Sequence, residues 1–142
     1  MFFGEYEYKV DTKGRVAVPP EFRQEFREGI ILTRGLEKCI IGYTPPQWNE
    51  IAKDQVVLPP MRSKARRANR FIFAAAFKLE LDRQGRVILP PPLRYYAEIK
   101  DMVIIAGVNN YLELWSKENW EMERSLMDRE AWQIFESTET RS

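Results

Sequence analysis

Val10-Asp11-Thr12-Lys13-Gly14-Arg15-Val16-Ala17-Val18-Pro19-Pro20 returns, at an offset of 71, as Leu81-Asp82-Arg83-Gln84-Gly85-Arg86-Val87-Ile88-Leu89-Pro90-Pro91. Each copy sets Asp, Gly and Arg between short β-forming runs. In such a turn the aspartate hydrogen-bonds backbone two residues on, and the glycine supplies a positive φ. The run after the arginine reads as a strand. The Pro-Pro pair then ends it, because proline lacks the ladder donor but suits the first position of a helix.

Working outward, Glu5-Tyr6-Glu7-Tyr8-Lys9-Val10 alternates polar and apolar residues, the period of a half-buried strand. Glu21 to Arg27 reads as a short helix with Phe22 and Phe26 one turn apart, and Gly29 is placed to cap it. Ile30 to Arg34 and Cys39 to Tyr43 read as strands. Thr44-Pro45-Pro46-Gln47-Trp48 reads as an N-cap with proline in the first turn of a closing helix.

The second half keeps this order. Asp11, Gly14, Arg15, Val16, Pro19, Pro20 and Arg23 match Asp82, Gly85, Arg86, Val87, Pro90, Pro91 and Arg94 at an offset of 71. One insertion later, Gly35 and Trp48 match Gly107 and Trp120 at an offset of 72. Matches kept in order through a whole unit mean internal duplication. Each half is under ~60 residues, where a separate core is marginal, so the two are expected to share one core about a pseudo-twofold axis. The fold class is α+β.

Between the halves, Pro59-Pro60 breaks the chain. Met61, Ala65, Ala68 and Ile72 recur at helical spacing, with Arg62, Arg66 and Arg70 along another stripe. This predicts a basic amphipathic helix, followed by a strand from Phe77 to Leu81. A last helix is expected from Glu118 to Phe135, then a frayed end from Ser137 to Ser142. Trp48, Trp115, Trp120 and Trp132 lie within apolar patterns and are expected in core and interface.

Composition narrows the function. The net charge of +1 hides segregation: residues 58–77 hold Arg62, Lys64, Arg66, Arg67 and Arg70 with no acid, while residues 116–142 carry 4 basic and 7 acidic side chains. There is no histidine and one cysteine, Cys39, so the usual nucleophile–base pairs and zinc clusters have no residues to be built from. Cys39 itself reads as a small buried thiol. No Gly-rich phosphate loop or catalytic constellation is visible, and neither an enzyme nor a cofactor is expected. No apolar run approaches the ~20 residues of a membrane span. The start Met1-Phe2-Phe3-Gly4-Glu5 lacks a signal-peptide pattern, so a cytoplasmic location is expected.

Two readings of the repeated turn stand side by side. In one it is only a way to fold: Asp ties the turn, Gly permits it, and Arg is a solvated strand residue. In the other, Asp11 and Asp82 brace the turn with Gly14 and Gly85. Arg15 and Arg86 then face a ligand, able to make bidentate bonds to phosphate or guanine, and Lys13 and Arg83 near the turn tips add phosphate contacts. Arg62, Arg66 and Arg70 are open to either DNA or a neighbouring chain.

These residues carry a resemblance. Met1-Phe2-x-Gly4, Asp11-x-Lys13-Gly14-Arg15-x-x-x-Pro19, Asp82-x-x-Gly85-Arg86-x-x-Leu89-Pro90-x-x-Leu93-Arg94, and Glu113-Leu114-Trp115-Ser116 before Trp120 resemble the MraZ family over residues 1–130. That family is built from two tandem SpoVT-AbrB-like units. The resemblance implies a swapped-hairpin AbrB-like β-barrel made by the two halves, with flanking helices, and a ring-like homo-oligomer. It implies binding to double-stranded DNA at repeated boxes in the promoter of its own operon, the division and cell wall cluster. It implies a nucleoid-associated protein with neither a membrane nor a small-molecule substrate as partner. The family's DNA-binding element, Asp-x-x-x-Arg, is carried here by Asp11, Arg15, Asp82 and Arg86. The turns differ where Arg83-Gln84 replaces Thr12-Lys13. The implied division is 5–57 for the first repeat, 58–76 for the basic helical linker, 77–122 for the second repeat, and 123–142 for the C-terminal helix and tail. The rival is a non-enzymatic protein-interaction barrel whose basic helix docks an acidic partner or a sister subunit.

Overall fold

The computed structural model describes residues 1–56 and 62–139. The expected break at Pro59-Pro60, the first helical contact at Met61 and the last three residues of the tail lie outside the described residues.

The first half runs β1 (Glu5–Lys9), β2 (Arg15–Ala17), a 3-10 helix (Pro20–Phe26), β3 (Ile30–Arg34), β4 (Ile40–Tyr43) and α1 (Pro45–Val56). Then come α2 (Ser63–Phe73), β5 (Phe77–Leu79), β6 (Arg86–Ile88), α3 (Pro91–Tyr96), β7 (Met102–Val108), β8 (Tyr111–Ser116) and α4 (Lys117–Glu139). The second half thus repeats the first element for element. Pro20 and Pro91 both occupy a first helical turn, where the missing N–H would have found no partner. Gly29, at φ +123°, ends the 3-10 helix by donating its amide to Phe26 O. Thr44 Oγ1 accepts the Gln47 amide and caps α1. α4 continues as helix through residues 137–139 and begins at Lys117. The C-terminal helix therefore starts inside the range expected for the second repeat and persists where fraying was expected.

The strands form a six-stranded antiparallel sheet in the order β1-β7-β8-β4-β3-β5, and a separate two-stranded ribbon of β2 and β6. Exchanging the repeats and reading the six from the other end returns the same order, which is the signature of a pseudo-twofold axis between β4 and β8. β1 pairs with β7, and β5 with β3, so each repeat lends its first strand to the other half. The sheet and the ribbon are separate in their hydrogen bonding, and no closed barrel is present among the described residues.

One core joins both halves. Val10, Val16, Val18, Phe22, Phe26, Ile30, Leu32 and Ile40 are packed with Val87, Leu89, Leu93, Ile99, Val103, Ile105, Leu112 and Leu114. Phe2 stacks on Phe26 at 5.2 Å between ring centroids and meets Phe22 edge-on at 5.0 Å. Phe26 is fully buried, and truncating such a ring to Ala costs about 3–5 kcal/mol. A smaller cluster of Cys39, Ile41, Ile104, Ala106, Trp115 and Trp120 lies under α4.

Candidate functional site

The ribbon brings the two copies of the repeated turn together. In β2 and β6 the register is Arg15 opposite Ile88, Val16 opposite Val87, and Ala17 opposite Arg86. Side chains alternate across a strand, so Val16 and Val87 enter the core while Arg15, Ala17, Arg86 and Ile88 share the outer face. The Val18 amide donates to Gly85 O at 2.9 Å, and the Leu89 amide to Gly14 O at 2.8 Å. These reciprocal bonds fix each turn against the strand of the other repeat.

Both turns have the same internal wiring. The amides of Lys13 and Arg15 donate to Asp11 Oδ1 at 2.9 and 2.8 Å, and Arg15 Nε donates to Asp11 Oδ2 at 2.7 Å. The amides of Gln84 and Arg86 donate to Asp82 Oδ1, each at 2.9 Å, and Arg86 Nε donates to Asp82 Oδ2 at 2.9 Å. Gly14 and Gly85 lie at φ +78° and +74°, a left-handed conformation that disfavours residues with a Cβ by about 1–2 kcal/mol. The Arg15 amide, with further help from its side chain and the Lys13 amide, holds the Asp11 carboxyl down at about 2. The Asp82 carboxyl is lowered from its ordinary value, chiefly by the Arg86 amide.

The arginines do not stretch freely into solvent. Their side chains are only 27% and 30% exposed for Arg15 and Arg86, tied down through Nε. An arginine gripped at Nε still presents its two terminal nitrogens as a fork, and its rotamers are already restricted. The ordering cost of gripping a planar anion or a guanine edge is thereby lowered. Lys13 and Arg83 are exposed at the turn tips.

Two arginines stand behind the turns. Behind Gly85 stands the Arg23 side chain, which a Cβ on that glycine would strike; its Nε donates to Val18 O at 2.9 Å. Behind Gly14 stands Arg94, 3.6 Å from where a Cβ would be, bonded instead to Ile99 O and Lys100 O at 3.0 and 2.6 Å. The signal was present, since Arg23 and Arg94 match at the offset of 71, but nothing in the pattern says they pack across to the opposite turn.

Arg62, Arg66 and Arg70 are exposed, but α2 packs on β3 in the larger sheet rather than joining the ribbon. α4 packs on β7 and β8, on the other half of that sheet. Its first turns are tied to β1: Trp120 Nε1 donates to Glu5 at 3.1 Å, and Arg124 and Lys117 pair with Glu5 and Glu7 at 3.2 and 3.1 Å. Elsewhere, burial pushes the Cys39 thiol up to about 12, the opposite of the lowered value that activates a nucleophilic cysteine. No helix among the described residues is long and apolar enough to cross a membrane.

The site therefore defines a class: a duplicated α+β chain whose two halves join two carboxylate-braced arginine turns on one short β-ribbon. The family model for MraZ, described as "MraZ protein, putative antitoxin-like", matches residues 1–71 and again 72–131. A protein of Dehalococcoides mccartyi named Transcriptional regulator MraZ is 49% identical over 140 residues, 98% of this chain and 99% of its own. Proteins of the same name from Roseiflexus sp. and Herpetosiphon aurantiacus are 42% and 45% identical, over 92% and 85% of this chain and the same shares of their own. The chain belongs to the MraZ family.

Proposed function

We propose that this protein is a sequence-specific DNA-binding transcriptional regulator and not an enzyme, and that the outer face of the β2–β6 ribbon meets the DNA. The observation that carries the proposal is the pair of arginines, each gripped at Nε by an aspartate, on one face of a two-stranded ribbon. A ribbon of this kind fits the major groove of B-DNA, about 12 Å wide, where arginine reads guanine O6 and N7. Asp11 and Asp82 brace, Gly14 and Gly85 shape, and Lys13 and Arg83 hold phosphates. Membership in a family whose relatives are named transcriptional regulators supports this reading.

The family resemblance points to repeated boxes in the promoter of the division and cell wall cluster, the protein's own promoter included, and to work in the cytoplasm at the nucleoid. The same resemblance supports a swapped arrangement of the two repeats, toward which the exchange of β1 and β5 between them also argues. It also supports the division at 5–57, 58–76, 77–122 and 123–142. Assembly into a ring of identical subunits fits a chain of net charge +1, because linked weak contacts bind with avidity. Exposed Met122, Leu126, Trp132 and Phe135 on α4 offer apolar surface for such assembly.

The test is a mobility shift with promoter DNA. Replacing both Arg15 and Arg86 with Ala should abolish the shift while circular dichroism stays native; an undiminished shift contradicts the proposal. A second reading, a protein-interaction surface on α2, is favoured by its four cations, Lys64, Arg66, Arg67 and Arg70, without an acid on the helix, packed away from the ribbon. Under it, Arg66→Glu with Arg70→Glu changes the oligomer mass in light scattering and leaves DNA affinity intact. Unchanged mass removes that role.

A further inference from the structure

On the outer face of the ribbon, Ile88 is 54% exposed, more than either arginine beside it. A lone surface Ile in a strand needs no explanation by itself. Its surroundings are what single it out. It stands directly opposite Arg15, and residues opposed on one face of an antiparallel pair have Cβ atoms about 4.5–5.5 Å apart. It also lines a cleft of about 460 Å³ together with Thr12, Lys13, Arg94 and Tyr95. A protruding apolar group ringed by Lys13, Arg15 and Arg94 matches a ligand that is anionic outside and carries a small apolar projection within. The thymine 5-methyl group, lying in the major groove between phosphate backbones, is such a projection.

The equivalent place in the other repeat is taken by Ala17, opposite Arg86. Its side chain is a single methyl and reaches less far. Behind that half, Arg23 closes on Gly85, whereas the Gly14 side has the open cleft. The two halves of the ribbon thus present one arginine each but only one long apolar group.

We propose that Ile88 is a specificity-determining residue that contacts the methyl group of a thymine next to the base read by Arg15, and that the ribbon reads its site asymmetrically because Ala17 stands in the mirror position. This rests on the DNA-binding reading above.

The experiment starts from DNA selected by the wild-type protein from a randomised duplex pool, with each thymine of the selected site then replaced by deoxyuridine. One replacement should weaken wild-type binding about fourfold, the effect of one buried methyl group. Ile88→Ala should lose a similar factor on the thymine duplex and be indifferent to deoxyuridine at that same position. Ala17→Ile should create a second deoxyuridine-sensitive position related to the first by the pseudo-twofold axis. Independent, multiplying effects of Ile88→Ala and deoxyuridine overturn the inference, as does wild-type indifference to every replacement. Both outcomes leave DNA binding itself standing. A pool from which the wild-type protein enriches no sequence overturns the DNA-binding reading and this inference together.

Discussion

The two turns have the same backbone, the same brace and the same paired glycine contact, yet they are not interchangeable. In the first, Asp11 faces two guanidinium groups, since Arg86 Nη1 lies 3.9 Å away in addition to its own Arg15. In the second, Asp82 has only its own arginine as an ion-pair partner among the described residues. The second turn is backed tightly by Arg23, while the first borders an open cleft. Duplication copied the wiring, and later substitution at 12/83, 13/84 and 17/88 changed what each turn presents. A pseudo-twofold scaffold can thereby hold two similar readers with different preferences.

The largest effect expected to expose this difference is on stability. Ala at either glycine meets the left-handed penalty of about 1–2 kcal/mol. Gly85→Ala must also displace Arg23 from Val18 O, adding about 1 kcal/mol for a lost hydrogen bond. Urea unfolding should therefore rank Gly85→Ala about 1 kcal/mol below Gly14→Ala; equal losses would mean that the backing arginine is irrelevant.

Next come the single arginine variants. A bidentate base contact is worth about 1–3 kcal/mol, so Arg15→Ala should weaken binding to the selected duplex roughly 10- to 100-fold. Arg86→Ala should cost less, because its guanidinium is shared with Asp11. Fluorescence anisotropy at fixed salt would show it, and equal losses would restore the symmetry of the two turns.

Smaller still are the turn tips. Lys13→Ala and Arg83→Ala should each weaken binding without altering base preference, and should lower the slope of log affinity against log salt by about one. A changed base preference would move either residue from phosphate to base contact.

The smallest effect is with pH. Asp11 is depressed in the folded chain, so its contribution is fully present above the ordinary carboxylate range and is lost as pH falls from about 4 through about 2. Asp82 is depressed as well, and its contribution disappears in the same direction. Carboxyl NMR titration should show Asp11 protonating near pH 2; titration near 4 would mean that the Arg15 amide bond does not persist in solution.

How far the sequence discloses this depends on the kind of information asked of it. The alternation at Glu5–Lys9 announces a half-buried strand, and the burial alternates along it. Alternation states which face is buried and not which strand lies beside it, so the pairing of β1 with β7 across repeats was beyond reading. The shared core was legible, because halves this small are marginal alone. The sequence reads Arg15 and Arg86 as ligand-facing and the aspartates as braces, and the Nε bond from each arginine to its aspartate is seen only in the structure. An i,i+4 spacing across a turn does not reveal whether two side chains fold back on each other. Arg23 and Arg94 were visible as repeats, but their packing across the axis is a tertiary fact.

The most direct test of the ribbon as the DNA face is an amide NMR titration of the intact protein with the selected duplex. The amides of residues 12–17 and 83–88 should shift first and most, with the turn at 12–15 leading. Shifts confined to residues 62–70 of the basic helix, with both turns unmoved, would contradict it.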